Sequence, residues 1–62
     1  MSEFGRQLER KIEAKIKSIA NGTETVKDAG VNKLIDRLKS IDEAASERLK
    51  KNYIATVKKL SK

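Results

Sequence analysis

Phe4, Leu8, Ile12, Ile16 and Ile19 follow one another at steps of four, four, four and three. An α-helix completes a turn every 3.6 residues, so these side chains share one face and the charged residues between them take the other. The same spacing returns in Val31, Leu34, Ile35 and Leu38, and again in Ala45, Leu49, Tyr53, Val57 and Leu60. The chain has no proline, three glycines and 39% charged residues, a composition that favours helix over sheet. The expected fold class is all-α, a helical hairpin or a small three-helix bundle, built as one domain over residues 1–62.

Local signals set the expected boundaries. Ser2 can cap a first helix at about 3–20, and Asn21-Gly22 stops it, because glycine readily takes the left-handed conformation past a helix end. Thr25 can cap a second helix at about 25–39, with Asp28 near its positive end. Gly30 interrupts that segment. An interior glycine costs only about 1 kcal/mol relative to alanine, and Val26 and Gly30 fall on the edge of the stripe of Val31, Leu34, Ile35 and Leu38, so one continuous helix is the favoured expectation and a break at Gly30 the alternative. Ser40 and Glu43 have the spacing of a capping box, and they predict a third helix over 41–60.

Size limits what such a fold can bury. A chain of 62 residues hides about 60% of the surface it exposes when unfolded, and domains this small commonly rely on disulfides, a metal, close helix packing or oligomerisation. There is no cysteine and no histidine, which removes disulfides, thiolate and imidazole ligands, and the commonest general base. Packing and self-association remain. Sixteen large apolar residues are available, counting Phe4, Val26, Ile41, Ile54 and Leu60 with the stripes. No apolar run is long enough to span a bilayer, and the N-terminus lacks the apolar core of a secretory signal. An intracellular or virion-associated protein is expected.

Catalytic and cofactor chemistry finds no foothold. The sequence holds no Gly-rich phosphate loop and no nucleophile–base arrangement. Asp42, Glu43 and Glu47 cluster at a helix start, where carboxylates complement the positive end of the dipole. Acid–base work would instead need two carboxylates in a pocket with separated pKa values. The expectation is a protein that is not an enzyme and uses no metal or cofactor. Asn21-Gly22-Thr23 matches the glycosylation pattern but reads as a helix stop and turn.

Charge is unevenly placed. Of the net +6, residues 1–30 hold six bases and five acids, and residues 31–62 hold nine bases and four acids. On a helical wheel Arg48, Lys51, Lys58, Lys59 and Lys62 fall within roughly a 100° arc of the third helix, away from its apolar stripe. Such an arc suits phosphates without reading sequence. It also serves as a solvated end that complements the macrodipole. Specific DNA reading fits less well, because the first turns of the third helix present acids where a recognition helix meets phosphates. Tyr53 belongs to the apolar stripe, and one tyrosine is too few for a base-stacking platform. Binding to a membrane surface ranks below nucleic acid, since there is no tryptophan and the apolar face is needed for the core.

The segment "GVNKLIDRLKSIDEAASERLKKNYIATVKKL", residues 30–60, resembles the helical opening of small phage tail-completion (head–tail connector) proteins. Gly30, Leu34, Leu38, Ile41, Leu49 and Ala55 match that family's pattern of a glycine, two turns of spaced leucine, a short break and a long basic amphipathic helix. The resemblance implies a role in virion assembly and carries no functional residue across. Residues 1–29 lie outside it, and the family continues into strands that this chain lacks.

The reading that follows is a binding protein. A protein-interaction or assembly module is expected, either a homo-oligomer or a subunit that docks on a larger protein. Its contact candidates are Val26, Gly30, Val31 and Ile54, the last standing off the main stripe beside Lys50 and Lys58. The second reading is sequence-nonspecific nucleic-acid binding through Arg48, Lys51, Lys58, Lys59 and Lys62.

Overall fold

A computed structural model describes residues 3–60. Ser2 and Lys62 lie outside the described residues. The elements are α1 (Glu3–Ala20), the single turn α2 (Val26–Ala29), α3 (Val31–Ile41) and α4 (Glu43–Leu60), with no strand among the described residues. The protein is an all-α bundle of three principal helices, drawn out to 36 × 18 × 14 Å.

α1 ends where Asn21-Gly22 predicts. Gly22 has φ +79°, its N–H donates to Ile19 C=O at 3.1 Å, and the Thr23 N–H reaches back to Ser18 C=O at 2.9 Å. These two reversed bonds satisfy carbonyls that a helix end otherwise leaves open. The chain then returns along α1, tied by a 3.0 Å ion pair between Lys15 Nζ and Glu24 Oε2. Thr25 caps α2 as expected, its Oγ1 accepting from the Asp28 N–H at 3.1 Å.

The expected continuous helix over 25–39 does not form. Gly30 adopts φ +61°, ψ +33°, which ends α2 and starts α3 in a new direction. The stripe explains why. Val31, Ile35 and Leu38 must all face inward, and they are 1%, 3% and 0% exposed, whereas Val26 on the preceding turn is left 39% exposed. Helix propensity at one glycine is too weak to oppose that burial.

A β-carbon added at Gly30 meets no atom within 4 Å, so Gly30→Ala tests backbone conformation alone. The expected loss is about 1 kcal/mol, the left-handed penalty of 1–2 kcal/mol less the entropy removed from the unfolded chain. Urea unfolding followed by circular dichroism measures it. A gain in stability with added helix signal would mean that α2 and α3 fuse instead.

The junction of α3 and α4 also departs from expectation. Ser40 stays inside α3 and caps nothing, α3 runs on to Ile41, and α4 starts at Glu43 rather than 41. Asp42 alone links the two. Its N–H donates to Leu38 C=O at 2.7 Å, its C=O accepts from the Ser46 N–H at 3.0 Å, and its Oδ1 accepts from the Ala45 N–H at 3.2 Å. Aspartate caps as well as serine does, and moving the cap two residues on lengthens α3 by a half-turn.

One core joins the helices, formed by Leu8, Ile12, Ile16, Ile19, Ala29, Val31, Ile35, Leu38, Ala45, Leu49 and Tyr53, with Leu34 and Val57 at its edge. Tyr53 is thus a core residue, as its place on the stripe predicts. Phe4 and Leu60, expected on buried stripes, are 61% and 51% exposed, and Ile41, counted among the available apolar residues, is 39% exposed. Each sits near an end of its helix.

Candidate functional site

Three of the exposed faces each have their own chemistry. The first is the outer side of α4. The core takes Ala45, Ser46, Leu49 and Tyr53, which leaves Arg48, Lys51, Lys58 and Lys59 exposed on the opposite side, as the wheel predicts. Lys62, the fifth member of the proposed stripe, lies outside the described residues. Arg48 is not a free cation: its Nη2 donates to Glu9 Oε1 of α1. Among the described residues the ion pairs are this one and Lys15–Glu24, so Lys51, Lys58 and Lys59 face solvent without a carboxylate partner.

The second face lies between α3 and α4. Here Ile54, 42% exposed, stands in a groove with Ile35 and Ser46 at its floor and Asp36, Glu47, Lys39, Lys50 and Lys51 around it. Both signs of charge meet at this groove. It contains one of the four proposed interface residues. Val26 is exposed but belongs to α2. Gly30 is partly buried at the turn between α2 and α3 and lines a depression between α1 and α3. Val31 is removed from the set, because at 1% exposure it is sealed in the core. The break at Gly30 is the cause, since it turns Val31 inward and leaves Val26 outside.

Ser46 is the residue that sequence reasoning overlooked. It is 3% exposed, and its Oγ donates to Ile35 C=O at 3.0 Å. A serine and alanine side by side in the first turn of α4 let the two helix backbones approach closely below the Ile54 groove. The neighbouring Ala45 on the apolar stripe was the available signal.

The third face, between α1 and α3, was also missed. Lys11 and Lys15 of α1 line a depression with Lys33 and Arg37 of α3. Each pair is four residues apart, so each was visible as two cations on one helix edge. That the edges meet was not.

Asp42, Glu43 and Glu47 form no separate site, as Asp42 is occupied in capping α4. Among the described residues no group of acids is placed to hold a metal ion, and no helix is long and apolar enough to cross a membrane. Every buried side-chain nitrogen or oxygen among the described residues has a hydrogen-bond partner. No family model matches the chain, and neither the curated proteins nor the solved structures yield a match.

Proposed function

We propose that this protein is a non-enzymatic interaction module that self-associates through the groove between α3 and α4. The observation that supports this most is apolar surface the monomer does not cover. Phe4, Val26, Ile41, Ile54 and Leu60 remain exposed, and of these Ile54 lines the groove. The Ile54 groove suits a second copy because its charges are mixed. A two-fold interface places each residue of one copy against its counterpart's neighbours, so Asp36 and Glu47 can meet Lys39, Lys50 and Lys51 across the axis. The resemblance of residues 30–60 to phage tail-completion proteins supports a setting in virion assembly.

Sedimentation equilibrium over a range of concentrations tests the reading. The expected result is a mass above 7.0 kDa that returns to the monomer value in Ile54→Glu while the helical signal is unchanged. A wild-type mass that stays monomeric at every concentration overturns self-association.

The second reading, nucleic-acid binding, is supported by Lys51, Lys58 and Lys59 sharing one solvent arc. The affinity for a labelled duplex of about 20 base pairs, read by anisotropy, then falls with salt at a log–log slope of about −3. Absence of binding at low salt marks the lysines as a solvated face.

A further inference from the structure

The face between α1 and α3 differs from both surfaces above. Two depressions run along it and share Lys11, Leu34 and Arg37, so they form one continuous channel. Lys15 and Lys33 line one end, and Phe4 lines the other. No carboxylate lines either depression. Lys15 is paired with Glu24, and Lys11, Lys33 and Arg37 make no ion pair among the described residues. Phe4 is 61% exposed and Leu34 is half-buried beside it. The channel thus carries an apolar notch at one end and a row of cations along the rest.

We infer that this channel docks an acidic amphipathic helix of a different protein, which seats an aromatic or aliphatic side chain against Phe4 and Leu34 and lays carboxylates along Lys11, Lys33 and Arg37. The inference rests on the reading of the protein as an interaction module, but it uses a different face from the Ile54 groove. Charge selects the partner. A second copy brought face to face would set two rows of cations against each other, on chains that each carry +6. A second copy also offers fewer acids than bases, nine against fifteen, and two of the nine, Glu9 and Glu24, are already paired within the chain. Nucleic acid would use the cations but leave the notch uncovered, since interfaces with nucleic acid are polar. A helix with acids on one edge and an apolar residue every three or four positions satisfies both parts of the channel.

The test uses a fluorescent helical peptide of about 16 residues, with Glu on one edge and Leu and Phe at helical spacing beside it. A control peptide has Gln in place of Glu. Anisotropy is measured against the full chain and against Phe4→Ala, Lys33→Glu with Arg37→Glu, and Lys58→Glu on the far side of α4. The acidic peptide is expected to bind and the Gln peptide not. Phe4→Ala should weaken binding on the order of tenfold or more, as loss of an aromatic anchor does. The paired charge reversal should abolish it, and Lys58→Glu should leave it within about twofold. Phe4, Lys33 and Arg37 are exposed, so these variants should retain their helical signal, which circular dichroism checks. The proposal is overturned if the acidic peptide does not bind, or if Phe4→Ala binds it as the wild type does. It is equally overturned if a duplex of about 20 base pairs displaces the peptide and its own binding depends on Lys33 and Arg37 but not on Phe4, which would make the channel a nucleic-acid surface. None of these results bears on the Ile54→Glu mass measurement, so the two readings fail separately.

Discussion

Ile12→Ala is expected to lower the free energy of unfolding by about 2–5 kcal/mol, the range for truncating a large aliphatic side chain in a packed core. Ile12 is 0% exposed and sits at the middle of the α1 stripe. A domain of this length has roughly 3–9 kcal/mol in total, so the loss is a large share of the whole and the urea midpoint should fall by about half. Urea titration monitored by circular dichroism measures the effect. Phe4→Ala, the same class of change on the same stripe, is the control. With Phe4 61% exposed, it should shift stability by no more than about 0.5 kcal/mol. Equal losses from the two substitutions would show that α1 is not packed in the register described.

The second large effect is expected at Ser46, where α3 and α4 meet. Ser46→Leu forces a branched side chain into a site that is 3% exposed, and overpacking of this kind costs about 1–3 kcal/mol. It also removes the hydrogen bond from Oγ to Ile35 C=O. Ser46→Ala separates the two contributions. It keeps the close approach and loses only that bond, for about 0.5–1.5 kcal/mol, because the Ile35 carbonyl retains its place in the α3 ladder. Ser46→Leu should therefore be the more damaging of the two. If it is as mild as Ser46→Ala, the helices do not approach closely at this point.

Ser46 and Ile12 also mark the difference between what can and cannot be read along the chain. Ile12 lies on an uninterrupted stripe, and its burial follows from spacing alone. Ser46 is polar, one residue removed from Ala45, and nothing nearby in sequence says that Ile35 will stand over it. The cap of α4 is a third kind of case. Ser40 and Asp42 are both competent caps, and only Ser40 is followed three residues on by a glutamate, so the local pattern favours the cap that the fold does not use. The choice went to Asp42 because α3 extends to Ile41 before the chain turns. Val31 moved from candidate interface to core for a related reason: rotation at Gly30 decides which way it faces.

Among the surfaces, the exposed arc of Arg48, Lys51, Lys58 and Lys59 was visible in sequence because it lies on one helix, where angular position follows from residue number. The pairing of Arg48 with Glu9 was not, since the partners are separated by 39 positions. The same holds for the channel of Lys11, Lys15, Lys33 and Arg37, whose members come from two helices.

The sequence by itself determined that the chain is helical, where α1 ends, that Thr25 caps a turn, and which stripes supply most of the core. These are properties of neighbours within about four residues, where the period of the helix converts spacing into direction. Only the tertiary structure decided the sign of φ at Gly30, the cap at Asp42, the burial of Val31 and Ser46, and the exposure of Phe4, Ile41 and Leu60. Each of these depends on where one helix lies against another. That geometry follows from burying all the stripes at once and is not encoded in any single segment.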